Sequence, residues 1–436
     1  MDLTQPRRKR LIVANKFNPF RPDKMMPPGM FCGRIDELRF IDHCLLQTKK
    51  GNPQHFLIEG ERGIGKSSLF LCGQYVAEGR IKTLETKETL DFIVVNVSLL
   101  ETDDYYTITR KIMAAFRVEL MKRNAFKAFA SAAWDLINRF EGAGIRYDRE
   151  AGKPEQAELL GCLQTDFVAA ASKMDDVADG ILLLIDEADK PPAGGNLGLI
   201  CKMLTEELSR RGCERVCIGL AGLPHVISVL RDSHESSLRI FKTMELAPLE
   251  RGEREQVLSI GLNEAIKKNG FEINITPEAK DQIADLSEGY PHFLQEFAYC
   301  AFEEDADNII DADDVHKSLF REHGSFDQLG RKFFAQYYDA PSSDDYRKVL
   351  DTMAAHGNDW VGRTELIRES GLRANTVDNG LRALKGKDII VQSESRQGQY
   401  RLPTKSFAVW IKAKNRAEKA PPAENEPKII LKFTDP

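Results

Sequence analysis

The chain has 436 residues, 42% of them hydrophobic and 29% charged. That balance excludes a mainly disordered chain, and the length allows two or three domains, each with its own core. A net charge of −6 excludes a global polycation, so any nucleic-acid surface has to be local.

Residues 1–30 read as an extended segment, because Pro6, Pro19, Pro22, Pro27 and Pro28 interrupt any helix. The run Arg7-Arg8-Lys9-Arg10 is first a solvated tail; a phosphate contact or nuclear address is the competing reading. Ile35, Leu38, Ile41 and Leu45 then recur at helical spacing until Gly51-Asn52-Pro53 stops them.

The stretch 55–68, HFLIEGERGIGKSS, is the one around which the chain is organised. An apolar strand (Phe56, Leu57, Ile58) leads into Gly60-Glu61-Arg62-Gly63-Ile64-Gly65-Lys66-Ser67, and Ser68 opens a stretch of helical spacing. This is G-x-x-x-x-G-K-[ST] between strand and helix, where main-chain N–H groups and a helix start cradle phosphates. A β-carbon at Gly60, Gly63 or Gly65 would obstruct that approach. Lys66 is expected to reach the β- and γ-phosphates of ATP or ADP, and the Ser67 hydroxyl to ligate Mg²⁺. A glycine-rich turn with a chance lysine is the competing reading.

Phe92 to Val97 predicts a buried parallel strand. Residues 103–178 read as a mainly helical insertion, with Ile112, Phe116, Leu120 and then Phe126, Phe129, Ala133, Leu136 as core stripes. A second buried strand, Ile181 to Ile185, runs into Asp186-Glu187. At the carboxyl edge of an open sheet, Asp186 would hold Mg²⁺ directly or through water, and Glu187 would orient and deprotonate the attacking water. Strands Val216 to Ala221 and Phe241 to Leu246 complete a doubly wound α/β core over 31–248.

Helical patterns fill 249–340: Glu253 to Lys268, a helix capped by Thr276 with Pro277 in its first turn, Pro291 to Glu304, and Asp311 to Phe320. This is the expected helical lid. Over 341–412, three short helices (Asp344 to His356, Thr364 to Ser370, Asn375 to Lys385) precede a hairpin of Ile389-Ile390-Val391 and Tyr400-Arg401-Leu402. That order describes a winged helix. Arg373, Arg382, Lys385 and Arg396 would contact double-stranded DNA, with Lys387 and Arg401 adding charge; protein docking is the alternative. Residues 413–436 read as a polar linker ending in Ile429, Ile430, Leu431 and Phe433, a docking strand for a protein partner or a strand for the chain's own fold.

The eight cysteines form no C-x-x-C pair, and no apolar run approaches a membrane span. Buried reduced thiols, a cytoplasmic location and no membrane partner are expected.

Taken together, these motifs resemble the AAA+ and STAND superfamily of P-loop ATPases, near the origin-recognition-type and archaeal-style members with a winged helix behind the lid. Phe31-Cys32-Gly33-Arg34-Ile35-Asp36-Glu37-Leu38 is similar to the family box near the adenine, which implicates Arg34. Asn18-Pro19-Phe20 resembles the family's lead-in. Gly289-Tyr290-Pro291-His292 has the Gly-x-Pro form, which implies that Pro291 packs on the base and His292 stands where a sensor arginine is usual. A helix-capping role is the other reading of His292. Gly222 falls at the position of the family's polar first sensor, which implies slow or conditional hydrolysis. Arg239 matches an arginine that such ATPases insert into a neighbour's site, implying self-association; Arg231 is the reserve, and a surface ion pair the alternative. The resemblance implies a nucleotide-controlled switch. A non-hydrolysing signalling scaffold and a DNA-loading or transposition-type ATPase stay open beside it.

Overall fold

The computed structural model describes residues 16–123, 156–174, 177–341, 343–387, 389–393 and 396–419. The basic run at Arg7, the Phe126 to Leu136 stripe and the apolar patch at Ile429 lie outside the described residues. The described chain divides into two compact units, one of residues 16–272 and 289–295, the other of 273–288 and 296–419.

The first unit alternates helix and strand. In chain order it holds α1 (Ile35–Lys49), β1 (His55–Glu59), α2 (Lys66–Ala77), β2 (Phe92–Ser98), α3 (Tyr105–Met121), α4 (Gln156–Ala171) and β3 (Gly180–Asp186). Then come α5 (Leu197–Arg210), β4 (Val216–Gly222), α6 (Val226–Ser233), β5 (Phe241–Glu245) and α7 (Arg251–Asn269). The strands form one sheet in the order β2-β3-β4-β1-β5, with every pairing parallel. The expected parallel α/β core is therefore present.

Strand side chains alternate between the two faces, and helices cover both. Phe56 and Ile58 pack with Ile41, Leu45, Leu69 and Val76 of α1 and α2. Leu57, Ile93, Val95, Ile181 and Leu183 face the other way, onto Ile112, Phe116, Phe167, Ile200 and Leu204. Each fully buried aliphatic or aromatic side chain contributes roughly 1.5–3 kcal/mol relative to exposure, so the apolar runs commit these segments to a sheet covered on both faces. Inside the second layer, Arg117 of α3 makes a buried ion pair with Asp166 of α4 at 2.7 Å. Helix α7 begins with a reciprocal capping box of Glu250 and Glu253 and ends at Gly270 in the left-handed region.

The second unit opens with β6 (Asn274–Ile275), which pairs in parallel with β7 (Ile309–Ile310). Between them run α8 (Pro277–Ser287) and α9 (Pro291–Glu304), whose residues 291–295 belong to the first unit. The Thr276 hydroxyl accepts the Ala279 N–H at 3.2 Å, the cap that its sequence position predicts. Asp311 caps α10 (Ala312–Phe320) in the same way.

Helices α11 (Ser325–Leu329) and α12 (Ala335–Asp339) flank one π-helical turn, Gly330–Phe334. The chain continues through α13 (Asp344–Ala355), β8 (Val361–Gly362), α14 (Arg363–Ser370), α15 (Ala374–Gly386), β9 (Val391–Gln392), β10 (Gln399–Arg401) and α16 (Lys405–Lys419). The three strands make a small antiparallel sheet in the order β8-β10-β9. Ile389 and Ile390 are buried ahead of β9 rather than paired within it. Helix α16 carries the chain past Lys412 and packs the rings of Phe407 and Trp410 against Phe334, and that of Trp410 edge-on to Tyr338. No helix among the described residues is long and apolar enough to cross a membrane. All eight cysteines are free thiols, six of them buried.

Candidate phosphate-binding site

The carboxyl ends of β1, β3 and β4 are neighbours in the sheet, and the site is built on their edge. From β1 the chain turns through residues 60–65 and enters α2 at Lys66. Gly63 and Gly65 hold φ of 80° and 102°, in the left-handed region open to glycine. A β-carbon on Gly60 would lie 2.9 Å from Ile64 Cγ2 and 3.2 Å from Leu246 Cβ. Ile64 is fully buried and pins the loop to the core, while Glu61 and Arg62 are exposed on its outer turn.

Lys66 curls over its own loop. Its Nζ donates to the Gly60 carbonyl at 2.7 Å and the Glu61 carbonyl at 3.0 Å. Burial lowers its pKa, while Asp186, Asp189, Glu61 and Glu187 oppose that shift. The Ser67 hydroxyl donates to Asp186 Oδ2 at 2.6 Å. The other carboxylate oxygen, Asp186 Oδ1, accepts the Glu187 N–H at 2.8 Å. A hydroxyl and a carboxylate in direct contact form the hard-oxygen pair that suits Mg²⁺, so the residues present fit the ion. Glu187 has φ of 57°, a conformation uncommon for a side chain this large and typical of functional turns. Its carboxylate lies 3.4 Å from Lys190 Nζ.

The outlying boxes converge on the same loop. Arg34 is buried, with Nη2 donating to the Ile64 carbonyl at 3.2 Å and Nη1 paired with Glu37 at 2.9 Å. The Arg34 N–H in turn donates to Glu253 of α7 at 3.1 Å. The His292 N–H donates to the Gly63 carbonyl at 3.2 Å. Pro291 Cγ lies 3.6 Å from where a Gly65 β-carbon would stand. The Ser68 hydroxyl accepts the Met26 N–H at 3.1 Å. Beside the box, between α1, α2 and α7, is a cavity of about 350 Å³ lined by Phe31, Cys32, Gly33, Asp42, Cys72 and Gln256 among others.

Arg239 is not brought to this loop. It is exposed in the turn Ser237–Ile240, next to the first residue of β5, and β5 starts in register with His55 at the amino end of β1. Arg239 and the loop thus belong to opposite edges of the sheet, separated by a strand about 13 Å long. Arg231 is exposed in the last turn of α6.

Two residues carry no motif in the sequence and emerge only in the fold. Asp189 is only 8% exposed, and its Oδ1 accepts the Leu223 N–H at 2.9 Å. His225 Nε2 lies 3.7 Å from Asp189 Oδ2. The available signal was the second aspartate in Asp186-Glu187-Ala188-Asp189, three residues past the first. Gly222 is explained by the same carboxylate, since a β-carbon there would lie 2.8 Å from Asp189 Oδ1 and 2.9 Å from Val226 Cβ.

In the second unit, Arg373, Arg382, Lys385 and Arg396 are all exposed. Lys385 donates to Gln392 at 2.6 Å. Arg363 grips Asp378 of α15 through two hydrogen bonds, 2.5 and 2.7 Å, and holds that carboxyl below its usual range. The pairing offsets the acidic charge on a helix whose other exposed charges, Arg382 and Lys385, are basic. Arg401 packs over the Trp360 ring at 5.0 Å, and Lys387 donates to the Ala340 carbonyl at 2.8 Å.

No protein-family model matches the chain, and no curated protein matches it either. Solved structures do. The ORC2 protein of Aeropyrum pernix, in ADPNP–ADP complexes, aligns with a TM-score of 0.54 at 15% identity, covering 91% of this chain and 98% of that one. Its ADP form gives 0.51 at 15% identity, over 92% and 98%. A Walker-type ATPase of Pyrococcus abyssi gives 0.53 at 14% identity, over 90% and 100%. At these identities the likeness is one of fold: the chain has the fold of these ORC2 and Walker-type structures, with a five-stranded parallel α/β core.

Proposed function

We propose that the protein is an ATP-binding and ATP-hydrolysing switch whose nucleotide state governs oligomerisation and the engagement of DNA or a protein partner. The observation that carries the reading is the Ser67–Asp186 contact at 2.6 Å, one residue past Lys66 and next to the glycine loop. The nucleotide complexes of the ORC2 structure support a nucleotide at this edge. Gly60, Glu61, Arg62, Gly63, Ile64 and Gly65 supply main-chain groups to the phosphates, and Lys66 exchanges its loop carbonyls for phosphate oxygens. Ser67 and Asp186 would hold Mg²⁺, which would supply charge neutralisation to the phosphates. Glu187 takes the proton of the attacking water. Arg34, Ser68, Pro291 and His292 fix the shape of the loop from outside. Because Arg239 lies on the far edge, it serves only a neighbouring copy, where a guanidinium would stabilise the transferring phosphoryl charge.

In the second unit, α13 to α15 with the three-stranded sheet are read as a winged helix. Arg373, Arg382, Lys385 and Arg396 are its DNA contacts, and the tail beyond 419 is the place for a protein partner. Gly222 favours a second reading, a nucleotide-holding scaffold without turnover, because no polar side chain fits that position. A DNA-loading ATPase is the version of the switch in which duplex DNA stimulates assembly.

Phosphate release by the wild type, Lys66→Ala and Glu187→Gln, with and without duplex DNA, tests the proposal. Lys66→Ala is expected to lose nucleotide binding. Glu187→Gln is expected to keep it while turnover drops about 100-fold or more, the usual contribution of a general base. Equal release by all three rejects hydrolysis at this site, and retained nucleotide without turnover in the wild type selects the scaffold.

A further inference from the structure

We propose that His225, oriented by Asp189, is the polar group that reads the terminal phosphate, in the place where Gly222 has no side chain to offer. This inference rests on the nucleotide reading of the site.

Sheet order comes first. Strand β4 lies between β3, which delivers Asp186 and Glu187, and β1, which delivers the glycine loop. The segment leaving β4 therefore emerges between the acidic pair and the loop. The last residue of the strand, Gly222, is already tied to the loop, because its carbonyl accepts the Gly60 N–H at 3.2 Å. A side chain there is barred by Asp189 and Val226, so the strand end cannot carry a sensor group itself. The next polar side chain on this segment is His225.

Asp189 decides where that side chain goes. The carboxylate is nearly buried, and an isolated buried carboxylate is unfavourable unless donors and cations surround it. One oxygen accepts the Leu223 N–H, which fixes the connection between β4 and α6. The other faces His225 Nε2 at 3.7 Å. Lys66 also feels the Asp189 charge. Asp189 is thus common ground between the P-loop lysine and the imidazole. His225 is further seated by its own carbonyl, which accepts the Ser228 N–H at 3.0 Å and the Ser228 hydroxyl at 2.7 Å. Yet the ring is 57% exposed. As an imidazolium, a ring that faces the Asp189 carboxylate through Nε2 and is open to solvent has its Nδ1–H to donate to a phosphate. The competing explanation is a surface histidine that only neutralises Asp189.

Calorimetric titration with Mg·ADP and with a magnesium complex of a non-hydrolysable ATP analogue separates the two, using the wild type, His225→Ala, His225→Gln, Asp189→Asn and the His225→Ala/Asp189→Asn double variant. His225→Ala should leave ADP affinity within about twofold and weaken the analogue about tenfold, the size of one hydrogen bond to a charged group. His225→Gln keeps a donor and should recover most of that loss. Asp189→Asn keeps an acceptor for Leu223 and removes the charge; it should weaken the analogue less than His225→Ala does, and add nothing in the double variant. An unchanged analogue-to-ADP ratio in His225→Ala overturns the inference, as does an equal loss for both ligands, which marks a structural role. Wild-type protein that binds neither ligand, or Lys66→Ala that binds both as well as wild type, overturns the nucleotide reading and this inference with it.

Discussion

His55 begins the strand that delivers the glycine loop, and it is half-buried, in surroundings where a charge on its ring is unfavourable. Its Nδ1 accepts the Ile218 N–H at 3.1 Å, so the neutral ring carries its proton on Nε2. Burial pushes its pKa down from 6.5 to about 4. Between those values the unfolded chain binds a proton that the folded one refuses. The stabilisation is therefore complete above the unfolded pKa near 6.5 and declines as the pH falls toward the folded value, by on the order of 3 kcal/mol. Thermal midpoints should fall more steeply between pH 6.5 and 4 in the wild type than in His55→Asn, which keeps an acceptor for Ile218 and cannot charge; parallel slopes would remove His55 as the cause. The residues of the site divide by how local their reasons are. Gly63, Gly65, Lys66 and Ser67 were legible because a loop with left-handed backbone needs glycine within a few residues of the lysine. Asp189 and His225 were not, because their pairing exists only once β3 and β4 lie side by side. The role of Arg34 was half legible: its box marked it, but only packing shows its guanidinium on the Ile64 carbonyl.

Elements with enough residues to show a period were readable, and those without were not. Strands β2 to β4 are seven residues each, and each carries an unbroken apolar run of at least four buried residues because both faces are covered there. By contrast β6, β7 and β8 are two residues each, too short for alternation, and are paired only by the elements around them. Helix α16 runs on through Ala-Lys-Asn-Arg-Ala-Glu-Lys, polar enough to read as linker yet rich in helix formers. The connection from α8 to α9 makes the most demanding element-level requirement. Gly289 has φ of 84°, and a β-carbon there would lie 2.5 Å from the Leu249 carbonyl oxygen and 2.9 Å from Pro248 Cβ. Its own carbonyl accepts the Leu249 N–H at 2.8 Å. This turn sets the start of α9, and with it Pro291 and His292 against the loop. Gly289→Ala should destabilise the fold by about 2 kcal/mol, from left-handed strain plus overpacking. Nucleotide affinity should fall with it, as the His292 contact to Gly63 is displaced. A variant with wild-type melting and wild-type affinity would show that the turn tolerates a side chain and does not position the loop.

Across the whole molecule, charge is distributed against its net sign. The chain carries −6 overall, which predicts weak or repulsive encounter with nucleic acid at long range. Helix α15 departs from that average. Its Asp378 is gripped by Arg363 and also feels Arg382, while Arg382 and Lys385 are exposed, and Arg373 precedes its first turn. If these residues and Arg396 meet phosphates, binding must track counterion release. Four contacts give a slope of log affinity against log salt of about −3.6. Arg382→Ala with Arg396→Ala removes two of them and should make the slope shallower by about 1.8, nearly equally for unrelated duplex sequences. Loss of affinity with an unchanged slope would point instead to a folding defect in the second unit. Absence of any salt-sensitive duplex binding by the wild type would assign this face to a protein, since a phosphate-reading surface on an acidic chain depends on local cations.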